Sequence, residues 1–281
     1  MSTNTITQPV VFLPHGGGPL PLLDDPNDEW TRMNKFIKSI PSKLPSKPKT
    51  LLIVSAHWEE KTTSITNSEN PGLLFDYGGF PKHTYEYEWP AKGNPELAKR
   101  LHDALKAKGV ESKLDDKRPL DHGVFIPMLL MYPDADIPTI QLSLQKNLDP
   151  KLHLKIGEIL SEFRDEGVLI IGSGYTFHNM QIFKSPGIHG LKFDEWLTET
   201  MQADKKTRDE RLAEWSNAPE ARYAHPREEH LLPLHVIAGA ARDGEQVETF
   251  SDTQMNARNS GFVIGGVKLD QAEEETDDKK E

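Results

Sequence analysis

Apolar and polar positions along this chain follow two rhythms. Unbroken runs of large apolar residues occur at Val10-Val11-Phe12-Leu13, Leu51-Leu52-Ile53-Val54 and Val168-Leu169-Ile170-Ile171. A strand covered on one face alternates, so continuous apolar runs with several β-branched residues predict strands buried on both faces of an α/β sheet. Residues 137–144 predict another strand, 110–114 a short one, and 247–250 with 261–267 a late pair. The second rhythm is helical. Trp30, Met33, Ile37 and Ile40 recur at helix spacing, as do Leu97, Leu101 and Leu105 after the Asn94-Pro95 start signal. Asp149-Pro150 opens a further helix through Leu152, Ile156, Ile159, Leu160 and Phe163, which Gly167 ends. One helix is expected over 193–215 and another over 227–241, its first turn disturbed by Pro233. Residues 124–131 are an apolar segment, and 59–93 read as a long irregular loop rich in aromatics.

Strands alternating with helices, and no repeat of 20–50 residue period, predict an α/β fold: a single-domain three-layer α/β/α sandwich with a mixed central sheet over 8–268. Residues 269–281 predict a disordered acidic tail. With 281 residues the chain can bury a full core. It has no cysteine, which excludes disulfides, thiolate metal sites and cysteine nucleophiles. A net charge of −11 argues against nucleic acid as a partner. No run nears the ~18–20 apolar residues of a membrane span, and the N-terminus lacks the pattern of a signal peptide. A cytoplasmic protein, monomeric by default, is the plain expectation.

The candidate chemistry is imidazole. Ligands of open α/β sheets bind beyond the carboxyl ends of the strands. Each of the three apolar runs delivers a histidine there: His15 in Pro14-His15-Gly16, His57 in Ser55-Ala56-His57-Trp58, and His178 after Gly172-Ser173-Gly174. A single such histidine reads as an ordinary strand-end turn; that reading fits three of them poorly. Asp121-His122-Gly123 adds an imidazole with a carboxylate beside it to orient it, and Glu228-Glu229-His230 another, on a residue expected to open a helix. His230 and His235, five positions apart, should not share a helix face. His225, before Pro226, is expected to be extended. His83, His102, His153 and His189 carry no such signal, and His102 and His153 are expected on solvated or boundary helix faces. There is no local H-E-x-x-H, so a metal site would have to be assembled from distant segments, with Fe(II), Zn(II) or Mn(II) all compatible with imidazole donors.

Two other chemistries are weaker. His15-Gly16-Gly17-Gly18 looks like an esterase oxyanion loop, but Ile171-Gly172-Ser173-Gly174 lacks the G-x-S-x-G elbow that would make Ser173 a nucleophile. A dinucleotide fingerprint is also missing. The blocks Pro14-His15-Gly16, Val54 to Trp58, Asp76-Tyr77-Gly78-Gly79-Phe80-Pro81, Leu120-Asp121-His122-Gly123, Met131 to Pro138, Gly174 to Asn179, and His225-Pro226 with Glu229-His230 resemble the DOPA 4,5-dioxygenase family. These are class III extradiol ring-cleavage dioxygenases related to protocatechuate 4,5-dioxygenase. The resemblance runs in order from about residue 10 to residue 266.

It implies one divalent ion held by His15, His57 and His230, with Fe(II) expected for catalysis and Zn(II) possible as the bound metal. His178 matches a histidine that is either an acid/base beside the ion or a further ligand, and His122 one that faces substrate and dioxygen. Glu229, next to His230, leaves that part of the ligand set open. The partners implied are a small aromatic diol and O2. The aromatic segment over 75–89 is expected either as a wall or lid of the pocket or as core packing. A non-enzymatic metal- or partner-binding protein of the same fold, or a zinc hydrolase, is the alternative function.

Overall fold

A computed structural model describes residues 6–183 and 185–265. The three apolar runs become central strands: β1 (Val10–Pro14), β2 (Thr50–Glu60) and β6 (Val168–Gly174). Between β2 and β6 along the chain come β3 (Thr63–Thr66), β4 (Ser112–Asp115) and β5 (Thr139–Gln145), and β7 (Val247–Gln254) and β8 (Ala257–Ile264) close it. They form one eight-stranded sheet in the order β4-β3-β5-β2-β6-β1-β8-β7. The central four, β5-β2-β6-β1, are parallel. β8 joins β1 antiparallel and β3 joins β5 antiparallel, so the sheet is mixed, as expected.

Alternate residues of the central strands enter opposite cores. Val10, Phe12, Leu52, Val54 and Ile170 pack on one side with α2 (Pro95–Ala107), α4 (Pro150–Leu160), α5 (Leu191–Gln202) and α8 (Leu232–Ala240). Val11, Leu13, Leu51, Ile53, Leu169 and Ile171 pack on the other with α1 (Thr31–Lys43) and α3 (His122–Met131). That is the three-layer arrangement. Continuing the odd-numbered face past the apolar runs leads to Ser55, His57 and Ser173, so this face carries the polar end of the sheet toward α3.

Several local expectations are corrected. The segment 124–131 belongs to α3, which is buried around most of its circumference and so shows no polar face to mark it as a helix. The helix expected over 193–215 breaks into α5 and α6 (Lys205–Ala213), because Asp204 accepts a hydrogen bond from Thr207 N and caps a new start. α8 begins only at Leu232, with Pro233 in its first turn, so His230 lies in the preceding turn and does not open a helix. The irregular stretch 59–93 contains an unforeseen short strand, β3, which lies between β4 and β5. Strand pairing of β7 and β8 turns at Met255 and Asn256, both at positive φ (49° and 61°), a two-residue hairpin geometry. β8 ends at Ile264, and the expected tail over 269–281 lies outside the described residues.

His153 is fully buried, contrary to expectation, because its ring is satisfied by backbone: Nδ1 lies 2.7 Å from Asp149 O, and Nε2 accepts from Gln145 N. His235 is equally buried on α8, donating from Nε2 to Leu212 O at 2.9 Å. Burial brings its pKa down to about 4. A denatured chain, titrating near 6.5, then binds the proton first, so this residue's contribution is intact above about pH 6.5 and is lost as pH falls toward 4. The loss is on the order of 3 kcal/mol. Urea unfolding of metal-free protein between pH 7.5 and pH 4.5 should fall less steeply with acidity in His235→Gln; parallel slopes would refute the assignment.

Candidate metal centre

The polar end of the sheet gathers five imidazoles from five segments. His15 follows β1, His57 lies in β2, His122 begins α3, and His178 and His230 come from the loops after β6 and before α8. β2 runs past His57, but its pairing with β6 ends at Ser55 and its pairing with β5 is irregular between Val54 and Glu59. His57 therefore stands where the ladder opens. Ring centroids chain the cluster together: His122 to His57 3.9 Å, His57 to His15 4.9 Å, His15 to His230 5.3 Å, and His230 to His178 3.5 Å in a stacked pair.

Oxygen atoms hold the Nδ1 edge of four of the rings. Ser173 Oγ gives its proton to Gly123 O, which can only accept, so His15 Nδ1 donates to Ser173 Oγ across 3.0 Å. Asp76 Oδ1 accepts from His122 Nδ1 at 2.8 Å and from His122 N at 3.0 Å. Glu229 Oε1 accepts from both His230 Nδ1 (2.9 Å) and His178 Nδ1 (3.1 Å). His57 differs, its Nδ1 standing 4.0 Å from Asp76 Oδ2. Each Nδ1–H bond leaves Nε2 with a free lone pair, the usual device that orients a metal-ligating histidine.

The two most central nitrogens face each other: His15 Nε2 and His57 Nε2 are 3.0 Å apart. Two imidazole nitrogens about 2.1 Å from one ion and about a right angle apart would have this separation. Donor atoms of His15, His57 and His122 all lie within 4.8 Å of one another, as do those of His178, Glu229 and His230. The residues fit a metal ion. Burial, then the neighbouring imidazoles, hold the pKa of His15 and His57 well below 6.5, and burial brings His230 to about 4. All three are thus neutral, the form that ligates. Burial alone would raise the Glu229 carboxyl, but hydrogen bonds from His178 and His230 outweigh it and hold it well below the carboxylate range.

The backbone explains how distant residues meet. Tyr175 N donates to His230 O (2.9 Å) and His178 N to Ala224 O (2.9 Å), tying the 224–230 loop to the end of β6. A Cβ on Gly174 would run into His230 O, so that approach needs glycine. Arg227 pairs through both guanidinium nitrogens with Glu59, two residues past His57, and stands 3.3 Å from Glu229 Oε2.

Some candidates fall outside the cluster. His225 is buried and bonds Thr176 O; His102 bonds Ser112, and His189 meets Tyr223. Ser173 is fully buried between Gly123 O and His15, so it presents no exposed nucleophile. The aromatic segment divides. Trp89 is core, donating to Tyr132 O, whereas Tyr77 comes within 5.8 Å of the His122 ring and packs with Phe75 against Phe125. Asp121, expected from the sequence to orient His122, is buried and takes hydrogen bonds from Ser55 and Gln141 instead, and Asp76, which does bind the His122 ring, was not singled out from sequence. Asp76 stood in a block noticed for its resemblance, yet a lone Asp before Tyr-Gly-Gly carries no signal of its own.

Fold and site together define an α/β protein with a histidine cluster fit to hold a metal ion, and comparison narrows the class. The family described as the catalytic LigB subunit of aromatic ring-opening dioxygenase matches residues 9–263. The 4,5-DOPA dioxygenase extradiol of Beta vulgaris is 41% identical, covering 84% of this chain and 88% of its own. Dioxygenase tasH of Hapsidospora irregularis is 34% identical over 96% of this chain and 89% of its own. The 4,5-DOPA dioxygenase extradiol of Escherichia coli K12 is 33% identical over 85% and 86%. A crystal structure of an uncharacterized Escherichia coli K12 protein superposes with a TM-score of 0.75 at 28% identity, covering 92% of this chain and all of that one. The chain belongs to the LigB family and is an aromatic ring-opening dioxygenase, an oxidoreductase. Such enzymes use a bound non-haem metal and act on a catechol-type substrate with O2. Among the described residues no helix is long and apolar enough to cross a membrane.

Proposed function

We propose that this protein opens a catechol of DOPA-like structure beside its diol, using O2 and one divalent ion held by His15, His57 and His230. The observation that carries the ligand set is the pair of facing Nε2 atoms of His15 and His57, with the neutral His230 ring adjoining both. The catalytic unit in this reading runs over 8–268, since the site draws on segments from His15 to His230 gathered at one end of the sheet. Fe(II), when bound, would supply the one-electron steps and the Lewis acidity that makes the diol acidic, whereas Zn(II) could fill the same donors without passing electrons.

The chain's own groups handle protons and shape. His178 donates from Nδ1 to ionised Glu229, so its Nε2 is free to accept a hydroxyl proton from the diol, and the carboxylate stabilises the imidazolium that results. His122, its Nδ1–H held by Asp76, offers an Nε2 lone pair that can take up a proton, and the resulting imidazolium, backed by that carboxylate, can stabilise negative charge developing on oxygen during attack. Tyr77 and Phe80, close to Gly18 and to each other, wall the site and exclude water. Glu229 serves here as the anchor of two imidazoles.

Protein reconstituted anaerobically with Fe(II) should consume O2 and form a yellow ring-opened product from L-DOPA or another catechol; the Zn(II) form should not. No oxygen uptake across a catechol panel, or ester or amide hydrolysis by the Zn(II) form, would overturn the reading.

A further inference from the structure

The cluster contains two carboxylates, and each stands between one imidazole assigned to the ion and one assigned to protons. Glu229 Oε1 receives both His230 and His178. Asp76 faces His122 through Oδ1 at 2.8 Å and His57 through Oδ2 at 4.0 Å. Asp76 is not carried on a loose loop. Leu74 N donates to Leu120 O (2.8 Å), Leu120 N donates to Gly72 O (3.0 Å), and Leu73 bridges Leu120, so residues 72–74 are zipped to the residue two before His122. The same Asp76 oxygen also accepts from His122 N, fixing ring and backbone together. The α3 N-terminus needs this, because Asp121 makes no side-chain cap.

We propose that Asp76 is a positioning residue for ring opening: it holds His122 as the Nδ1–H tautomer and thereby leaves Nε2 as the nitrogen offered to the reacting oxygen atoms. A neutral imidazole has one proton, and a carboxylate that can only accept commits that proton to Nδ1. The aromatic segment then has a second task besides walling the site, since Asp76 lies at its start and Tyr77 against the His122 ring. The inference rests on the role given to His122 above, but the tautomer itself does not depend on that role. A plainer alternative is that Asp76 only caps α3.

Two measurements separate these. In metal-free protein with 15N-labelled histidine, the His122 ring, identified by its loss in His122→Gln, should show a protonated Nδ1 and an unprotonated Nε2. Asp76→Ala should erase that preference. In the Fe(II)-loaded enzyme, Asp76→Asn keeps an acceptor for His122 N but removes the charge. Its kcat should fall roughly 10–100-fold with metal content unchanged and KM within about threefold. Oxygen consumption should also exceed the ring-opened product, a mismatch that loss of a helix cap would not create. A native His122 carrying its proton on Nε2, or Asp76→Asn with wild-type kcat, would overturn the proposal. If wild-type protein opens no catechol, the reading of function fails, and the NMR result still decides whether Asp76 sets the His122 tautomer.

Discussion

Replacing His57 with alanine is expected to give a folded protein that no longer retains metal through dialysis and has no measurable ring-opening activity. His57 is the cleanest of the proposed ligands to remove. Its side chain is about a quarter exposed (23%) and its ring makes no hydrogen bond to the surrounding scaffold, only the approach to His15. By contrast, His15 is fully enclosed and bonded to Ser173, so its loss would add a packing defect to the missing donor. Loss of residues that merely orient a ligand typically costs 10–100-fold in metal affinity, and loss of the ligand itself should exceed ~100-fold. Elemental analysis after dialysis, read beside thermal unfolding of the metal-free form, checks this. Full metal occupancy in His57→Ala would remove the ion from this end of the sheet. The same assay decides the third donor. His15 and His57 have His122 within 4.8 Å by donor atoms, while His230 adjoins both rings at 5.3 and 4.9 Å. His230→Ala should lose metal and His122→Ala should keep it; the opposite pattern would exchange their assignments.

The parts of this site legible in the sequence are those tied to buried strands. Runs such as Leu51 to Val54 and Val168 to Ile171 are apolar on both faces, which is rare outside a central parallel sheet, and the histidines beyond them fall at its carboxyl end. His122 and His230 were visible through the acidic residues beside them and through resemblance to a family, not through spacing. Where each neighbour points was hidden. Asp121, next to His122 in sequence, turns away to Ser55 and Gln141, and the carboxylate that binds His122 comes from Asp76, forty-six residues earlier. Glu229 does reach His230, but it reaches His178 as well, a contact that exists only after the 224–230 loop is tied to β6. α3 escaped notice because a helix buried all round has no polar stripe, and β3 because a four-residue strand, buried throughout between β4 and β5, is too short to show alternation. His153 shows the converse: a polar residue in an amphipathic helix can be core when backbone groups satisfy both ring nitrogens.

Changing His178 to alanine should lower kcat by at least ~100-fold while one ion per chain remains bound, the size expected for removing a general base. The geometry gives two reasons to separate it from the ligands. His178 stacks on His230 at 3.5 Å with the rings 19° from parallel, and the two share one oxygen of Glu229. Stacked rings anchored through the same edge have their Nε2 lone pairs side by side and not converging, so when one serves an ion the other is free to face what the ion binds. His178 is also the more open of the two, 19% exposed against 6% for His230, which suits a group that must exchange a proton with an arriving diol. The charge left after that transfer sits 3.1 Å from Glu229, whose carboxylate is already ionised. Single-turnover kinetics under anaerobic loading would show the defect as slow deprotonation of the bound catechol, read from its ultraviolet absorbance before oxygen is admitted. Loss of the ion from His178→Ala would instead make the residue a fourth ligand, and the proton would then have to leave by another path, with His122 the nearest imidazole to His57 on the opposite side.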